Sequence, residues 1–524
     1  MQSNTAEEKQ AESNFDSTPD LASDKPMGAD LEDNHHHTGF LGRVTVLLSR
    51  YGIETHGIAP VPAEERLETR WYQMFFVWFS ANMNILTFST GTVGPAFFAL
   101  GVRDSITIIV IIDLVIPDTS SGASAVFGPK LGTRAMVQAR FSWGYFGAII
   151  PTVLNVFSMQ GFLILNCIVG GQTLASLSSH LDDTLGIVII GIISLAVTFC
   201  GYRIIHWYES IAWIPNVIAF ITMLAVGYPQ LRENQSVPVS PATPAEVISF
   251  ASILASSILS WCPMTPDYGV YHSPAASSAR IFIYTYLAFF TASVTAHTLG
   301  AAFAATAPNV PAWNAGFDDS SSVGGLLYSV LLPAGAFGKL LTALVALSIP
   351  SACAPTMYTF STSFMAVATW FATVPRWVYI LISEGILIPV AIIGAKKFYT
   401  TFVDILDIIG YWSSVFSAII LTEHVLFRKA SFSEDQYPIA TWNSYILLPN
   451  GIPAVLAFVC ACGALVPFMS QAWYVGPVAK QGSGDVGVYV GFVVGAITYA
   501  LARGLEKMWY RKEGPVVVSD VSKV

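Results

Sequence analysis

Phe162 and Asn166 stand four residues apart in the run VLNVFSMQGFLILNCIVGGQTL, a separation that places both side chains on one helical face. A primary amide offers one acceptor and two N–H donors, and a phenyl ring offers an apolar face. Together they suit a flat, uncharged solute that stacks on a ring and hydrogen-bonds along an edge. A plainer reading is also open: an asparagine bonded to a neighbouring helix beside a packed phenylalanine. Asn155, Gln160 and Gln172 pose the same choice, and Gly170-Gly171 reads as a place of close helix contact.

A second constellation is SWCPMTPDYGVYHSP, residues 260–274, which follows the apolar run EVISFASILASSIL. Proline lacks a backbone donor and clashes with the preceding turn, so Pro263 and Pro266 break the helix that leads into them. In hydrocarbon the freed amides and carbonyls need other partners. A solute edge is one such partner, and Trp261 supplies a second stacking surface. A comparable interruption occurs in SANMNILTFSTGTVGPAFF, where Asn82 and Asn84 precede Gly91, Gly94 and Pro95.

Several ionisable residues fall within apolar runs: Asp113, Asp118, Glu209, Asp267, His297, Glu384, Asp404 and Asp407. Inside a membrane such residues are functional candidates by default. Glu209, beside Trp207-Tyr208, and Asp267, next to the break, lead as carriers of a coupling proton. Capping a helix end is the alternative role for each. Enzyme signals are poor, with no HExxH, GxSxG or phosphate-binding loop. Gly482-Ser483-Gly484-Asp485 matches GxGD but reads as a turn in a polar loop with no paired aspartate at membrane depth. The cysteines lack zinc-like spacing. His35, His36 and His37 are a short run in a polar tail. No catalytic residue, metal site or cofactor is expected.

The elements that must position these residues follow from composition. Of 524 residues 53% are hydrophobic and 11% charged, against roughly 25% charged in soluble domains, and mean hydropathy is +0.58. The apolar residues come in blocks long enough to cross a bilayer, which predicts about twelve spans. They cover 72–100, 105–129, 143–177, 185–204, 211–229, 246–272, 281–307, 337–372, 376–395, 402–427, 451–471 and 485–505. SSSVGGLLYSVLLP, between the seventh and eighth, is too short to cross and reads as a re-entrant or surface helix. Residues 1–70 are expected to be a disordered tail, 71–427 the core, 428–505 two added helices and 506–524 a second tail. Acidic residues of the first tail carry much of the net charge of −9, which therefore argues for no nucleic-acid partner. Lys and Arg concentrate in the loops that share a side with both tails, so both termini are expected in the cytosol. The sequon Asn234-Gln235-Ser236 then falls outside. The two interrupted spans are the first and sixth. An odd offset means they cross in opposite directions, the pattern of corresponding broken helices in two inverted halves around a central site.

From Trp71 to about Arg511 the chain resembles the fungal cytosine–purine permeases of nucleobase:cation symporter family 1. The resemblance rests on SANMNILTFSTGTVGP, SMQGFLILNCIVGGQTL, ARFSWGYFGA, WCPMTPDYGVY and PTMYTFSTSF. It implies an all-α, LeuT-like fold of five plus five inverted helices with two more, discontinuous in helices 1 and 6. It also implies import of cytosine, adenine, guanine and hypoxanthine across the plasma membrane by proton symport. By resemblance Phe162 is the span-3 aromatic, Asn166 the amide that reads the base edge, and Trp261 the stacking tryptophan. Glu209 is an acidic residue implicated in function, and Asn82 and Asn84 face the site. Family members often carry paired asparagines before the span-8 P-x-M-Y text, where this chain has Ala352 and Cys353. Ser351 and Thr356 are the nearby groups that could compensate. Sodium-coupled relatives use small hydroxyl residues in span 8. Ser348 fits that pattern but Ile349 does not, which favours protons. A vitamin B6 compound is the alternative solute on this scaffold, and a non-transporting nutrient sensor the alternative from another class.

Overall fold

The computed structural model describes residues 57–70, 72–119, 121–199, 202–234, 240–318 and 321–513. The histidine run and most of the expected N-terminal tail lie outside these residues. The principal helices in chain order are α1 (Gln73–Asn82), α2 (Ile85–Phe98), α3 (Val102–Thr119), α4 (Ala135–Gly147), α5 (Ile149–Ala175), α6 (Asp183–Phe199), α7 (Tyr202–Glu233) and α8 (Pro244–Leu259). They continue as α9 (Ser278–Thr306), α10 (Val323–Leu331), α11 (Ala336–Val367), α12 (Arg376–Ala395), α13 (Phe398–Thr422), α14 (Ile452–Leu465) and α15 (Gly487–Glu513). Among the described residues eight helices are long and apolar enough to cross a membrane, and α2, α6, α8 and α14 are shorter apolar helices.

Both predicted interruptions are real, but they are built differently. Span 1 breaks at Met83, between α1 and α2, and not at the glycines and proline that follow. Asn84 adopts an extended backbone, accepts from Thr87 N with its side chain and so caps α2. Its Nδ2 donates to Ala81 O at 2.6 Å. An asparagine at this position satisfies an otherwise orphaned helix amide. The helix then runs through Gly91, Gly94 and Pro95 intact. Those glycines serve packing instead: a Cβ on Gly91 would collide with the His297 carbonyl, and one on Gly300 with the carbonyl of Phe88. α2 and α9 therefore touch backbone to backbone.

Span 6 begins with a capping box, Thr243 with Glu246, and α8 stops at Leu259. Turns carry the chain past Pro263 into a 3-10 turn, Thr265–Tyr268, and the next long helix starts only at Ser278. Asp267 does not cap its own element. Its Oδ1 accepts from Ala135 N at 2.7 Å, capping the first turn of α4, where a carboxylate meets the positive end of the helix dipole.

Packing sorts the crossings into two groups. α2, α3, α8 and α9 interlock with one another, while α5, α6, α11 and α12 form a second group. In order of crossing these are spans 1, 2, 6 and 7 against spans 3, 4, 8 and 9. Each group joins two spans with the two that lie five places later, as an inverted repeat requires. α14 and α15 pair with each other and lean on α13. α10 is the short non-crossing helix, capped by Ser322 and buried against α5 and α7.

Three expectations are corrected. Residues 57–70, assigned to a disordered tail, are tied to two remote loops: Val61 N donates to Gly132 O at 2.8 Å, and Arg66 Nη1 to Pro129 O at 3.1 Å. Ser273 N donates to Glu68 O at 2.8 Å. Their polar composition concealed a segment held by backbone pairing. At the other end α15 runs to Glu513, past the expected limit at 505. The GxGD segment does turn, with φ of 94° at Gly482 and 68° at Gly484. Asp485, however, is buried and shares Gln471 with Asp407: Gln471 Nε2 lies 2.8 Å from Asp407 Oδ2 and 3.3 Å from Asp485 Oδ2. With Tyr411 donating to Asp485 as well, the network fastens the start of α15 to α13.

Candidate functional site

Two cavities meet at the breaks. The larger, about 350 Å³, runs from Arg70 and Tyr72 at the head of α1 to Trp213, Trp261, Ser348 and Thr356. The smaller, about 30 Å³, lies between Asn82, Phe162, Trp261 and His297. Asn84 and Trp261 line both. The larger volume falls in the usual range of ligand pockets. The smaller admits water but not a ring system.

Phe162 and Trp261 face each other with ring centroids 6.0 Å apart and planes 29° from parallel. A planar solute between them needs contact distances of about 3.5 Å on each face, so roughly 7 Å in all. At 6.0 Å the rings leave too little room for a solute between them, and an opening of about 1 Å would admit one flat heterocycle. Trp261 is steadied edge-on by Trp78 at 5.7 Å and Phe289 at 6.0 Å. Asn166 lies one turn beyond Phe162, with Nδ2 donating to Phe162 O at 2.9 Å. Its Oδ1 is buried with no hydrogen-bond partner, and the residue lines neither cavity. An orphaned buried acceptor beside a stacking pair is the polar half of the predicted constellation, one turn removed from the space it was expected to face.

Residues 60–495 match the family described as permease for cytosine/purines, uracil, thiamine and allantoin. The chain belongs to this cytosine/purine permease family. It is 32% identical over 468 residues to a purine-cytosine permease of Emericella nidulans, covering 88% of this chain and 91% of that one. It is 24% identical over 509 residues to a vitamin B6 transporter of Saccharomyces cerevisiae, covering 87% and 88% respectively. Among solved structures it resembles Mhp1, a nucleobase-cation-symport-1 family transporter in a closed conformation with bromovinylhydantoin bound. The TM-score is 0.60 at 17% identity, over 87% of this chain and 96% of that one. The protein is a polytopic membrane transporter of the LeuT-like fold, and not an enzyme.

The remaining expected residues of the permease separate into those at the cavities and those away from them. Ser351 and Thr356 line the larger cavity, their hydroxyls donating to Ser348 O and Ala352 O at 2.7 Å. Both donors are spent on their own helix, which leaves the oxygens as acceptors. Asn82 turns Nδ2 to Trp78 O at 2.9 Å and lines the smaller cavity. Asp267 lines neither. The Glu209 side chain lies outside the described residues. Among the described residues no group of three His, Cys, Asp or Glu side chains could hold a metal ion.

Asn216 of α7 is the residue that sequence reasoning missed. Its Nδ2 donates to Met83 O at 2.9 Å, and its Oδ1 accepts from Ser348 Oγ at 3.1 Å. It therefore satisfies a carbonyl freed by the span-1 break and ties that break to span 8. The signal was available, since a lone amide in an apolar span is the pattern that singled out Asn166. Beyond the spans, Arg70 grips Glu68 in a two-point ion pair, Nε to Oε1 at 2.9 Å and Nη2 to Oε2 at 2.6 Å. These bonds hold the Glu68 carboxyl down at about 2.

Proposed function

We propose that this permease imports cytosine and purine bases across the plasma membrane by proton symport, alternating access between the two sides. The observation that carries the reading is the near-parallel Phe162–Trp261 pair at the junction of two broken spans. An aromatic pair with amides and hydroxyls around it matches the two faces and the polar edge of a nucleobase. The Emericella nidulans relative, a purine-cytosine permease, supports the same solute class. Asn166 Oδ1 is the group assigned to a base N–H once the rings part, with Asn82, Asn84, Ser351 and Thr356 reading the remaining edge. The pattern of Lys and Arg supports cytosolic termini. In that orientation the larger cavity opens to the cytosol at Arg70. Towards the opposite end Thr92 of α2 and Tyr399 of α13 are hydrogen-bonded to each other. These features support reading this arrangement as the inward-facing half of the cycle.

The test is uptake of radiolabelled cytosine, adenine and hypoxanthine in cells lacking their own permeases. At least one base is expected to accumulate, more strongly at acid external pH and without sodium. No uptake of any of the three, with the protein at the cell surface, overturns the reading. A vitamin B6 compound is the second reading, supported by the Saccharomyces cerevisiae relative and by Ala352 and Cys353 where amides are common. Pyridoxine that blocks cytosine uptake, or is itself taken up in preference, decides for it.

A further inference from the structure

Asp113 of α3 and His297 of α9 form a buried acid–base pair between spans 2 and 7. His297 Nδ1 lies 2.9 Å from Asp113 Oδ2 and 3.2 Å from Oδ1. Their side chains are 0% and 2% exposed. We propose that this pair is the proton-binding site of the permease, with His297 taking the coupling proton and Asp113 holding the ring. The inference deepens the reading of the chain as a proton-coupled base importer and rests on it.

Packing alone gives no account of the pair. Ionisable side chains inside a membrane are costly, and apolar replacements of a buried ion pair are often no less stable. Access supplies the missing reason, because His297 lines the smaller cavity beside Asn82, Phe162 and Trp261. With Nδ1–H donated to the carboxylate, Nε2 is the remaining ring atom that can exchange a proton with water, and the cavity has room for one. The step is a proton transfer and nothing more: a proton from cavity water joins the Nε2 lone pair and later returns to water on the other side. Loaded, the site is an imidazolium beside a carboxylate. Unloaded, it is a single buried anion.

Among the described residues, the elements packed against α3 and α9 carry few other titratable side chains. α1, α2 and the turn Ser121–Ala125 carry none, and α8 carries only Glu246 in its first turn. On α3 the others are Arg103, Asp104 and Asp118 near its ends, and on α9 they are Arg280, Tyr284 and Tyr286 in the early turns. On α7 the charged and histidine residues sit towards the two ends, Arg203, His206 and Glu209 at one and Arg232 and Glu233 at the other. The pair is also mechanically connected to the solute site. Gly91 lies against the His297 backbone and Gly300 against that of Phe88. A shift of α9 therefore carries α2, whose cap Asn84 lines both cavities.

The experiment uses the purified full chain in proteoliposomes and two assays, base counterflow and base accumulation driven by an imposed pH gradient. His297→Gln and Asp113→Asn are expected to keep counterflow. They should lose about 5–150-fold of gradient-driven accumulation, the size of a typical coupling energy. The swapped double variant, Asp113→His with His297→Asp, should recover part of that accumulation. Gradient-driven accumulation intact in either single variant overturns the proposal. So does loss of counterflow in all three, which would assign the pair to packing. A wild-type protein that exchanges bases but accumulates them only on a sodium gradient overturns the proton site while base import stands. Absence of counterflow in the wild type sinks the base-import reading itself.

Discussion

Asn216 on α7 donates to the carbonyl of Met83, 2.9 Å away, at the point where span 1 stops being a helix. Spans 5 and 8 are thereby joined to the break, because the same amide accepts from Ser348. Removing such a bond leaves a buried carbonyl unsatisfied, which costs about 1–3 kcal/mol. Asn216→Ala should lower base uptake about tenfold at unchanged surface abundance. Wild-type uptake in this variant would show that the bridge carries no functional weight.

The stacking pair predicts a graded series. Base–aromatic stacking is worth about 1–3 kcal/mol by alanine substitution, so Phe162→Ala and Trp261→Ala should each weaken base affinity by about 5–150-fold. Trp261→Phe should retain most of it. Competition binding measures all three, and equal affinity for Trp261→Ala and wild type would remove Trp261 from the site.

Asn166 separates recognition from packing. Asn166→Leu fills the same space without the buried Oδ1, so the fold should survive. Base affinity should fall by about 1–3 kcal/mol if that oxygen meets a base N–H. Affinity that is unchanged, or improved, would return Asn166 to the plainer helix-contact role.

Glycine substitutions test the backbone contact between α2 and α9. Gly91→Ala and Gly300→Ala should each reduce folded yield and lower the melting temperature by several degrees, about the effect of a 1–3 kcal/mol strain. Gly385→Ala on α12 meets nothing within 4 Å. It should be neutral or slightly stabilising, since alanine is the better helix former by about 1 kcal/mol. Equal melting temperatures for Gly91→Ala and Gly385→Ala would contradict the close approach.

Glu68 supplies a pH prediction with a definite sign. Arg70 holds its carboxyl at about 2, below the ordinary 4.5. A depressed carboxyl stabilises above its unfolded value and loses that contribution only as pH falls through about 2. The pair is therefore intact across the range in which cells are assayed. Glu68→Gln is expected to leave the shape of the uptake–pH profile between about pH 5 and 8 unchanged. A displaced profile would assign Glu68 a role in coupling.

What could be read from the sequence follows a physical divide. Proline and asparagine act on their own backbone, so the breaks near Trp261 and Asn84 were visible from local text. Even there, Gly91 and Pro95 looked like the cause of a break that Met83 and Asn84 make, because glycine signals close approach as readily as bending. Asp267 was recognised as a capping candidate, yet its partner Ala135 lies 132 positions away and no spacing rule reaches that far. Asp485 was misread as unpaired for the same reason, its neighbours Asp407 and Tyr411 belonging to another span. Residues 57–70 are tied by backbone groups and by the Arg66 side chain to loops distant in sequence, which composition does not encode. Asn216 was legible in type but lacked a nearby break to mark it.

The facing of Phe162 and Trp261 has a consequence for energy conservation under the proposed coupling. Trp261 borders both cavities and Phe162, its near-parallel partner, stands on the His297 side, so apolar rings line the passage between them. An apolar constriction of that kind stops conduction by dewetting. On the proposed proton-coupled reading, such a constriction would keep a permease that is empty of solute from draining the proton gradient while it waits.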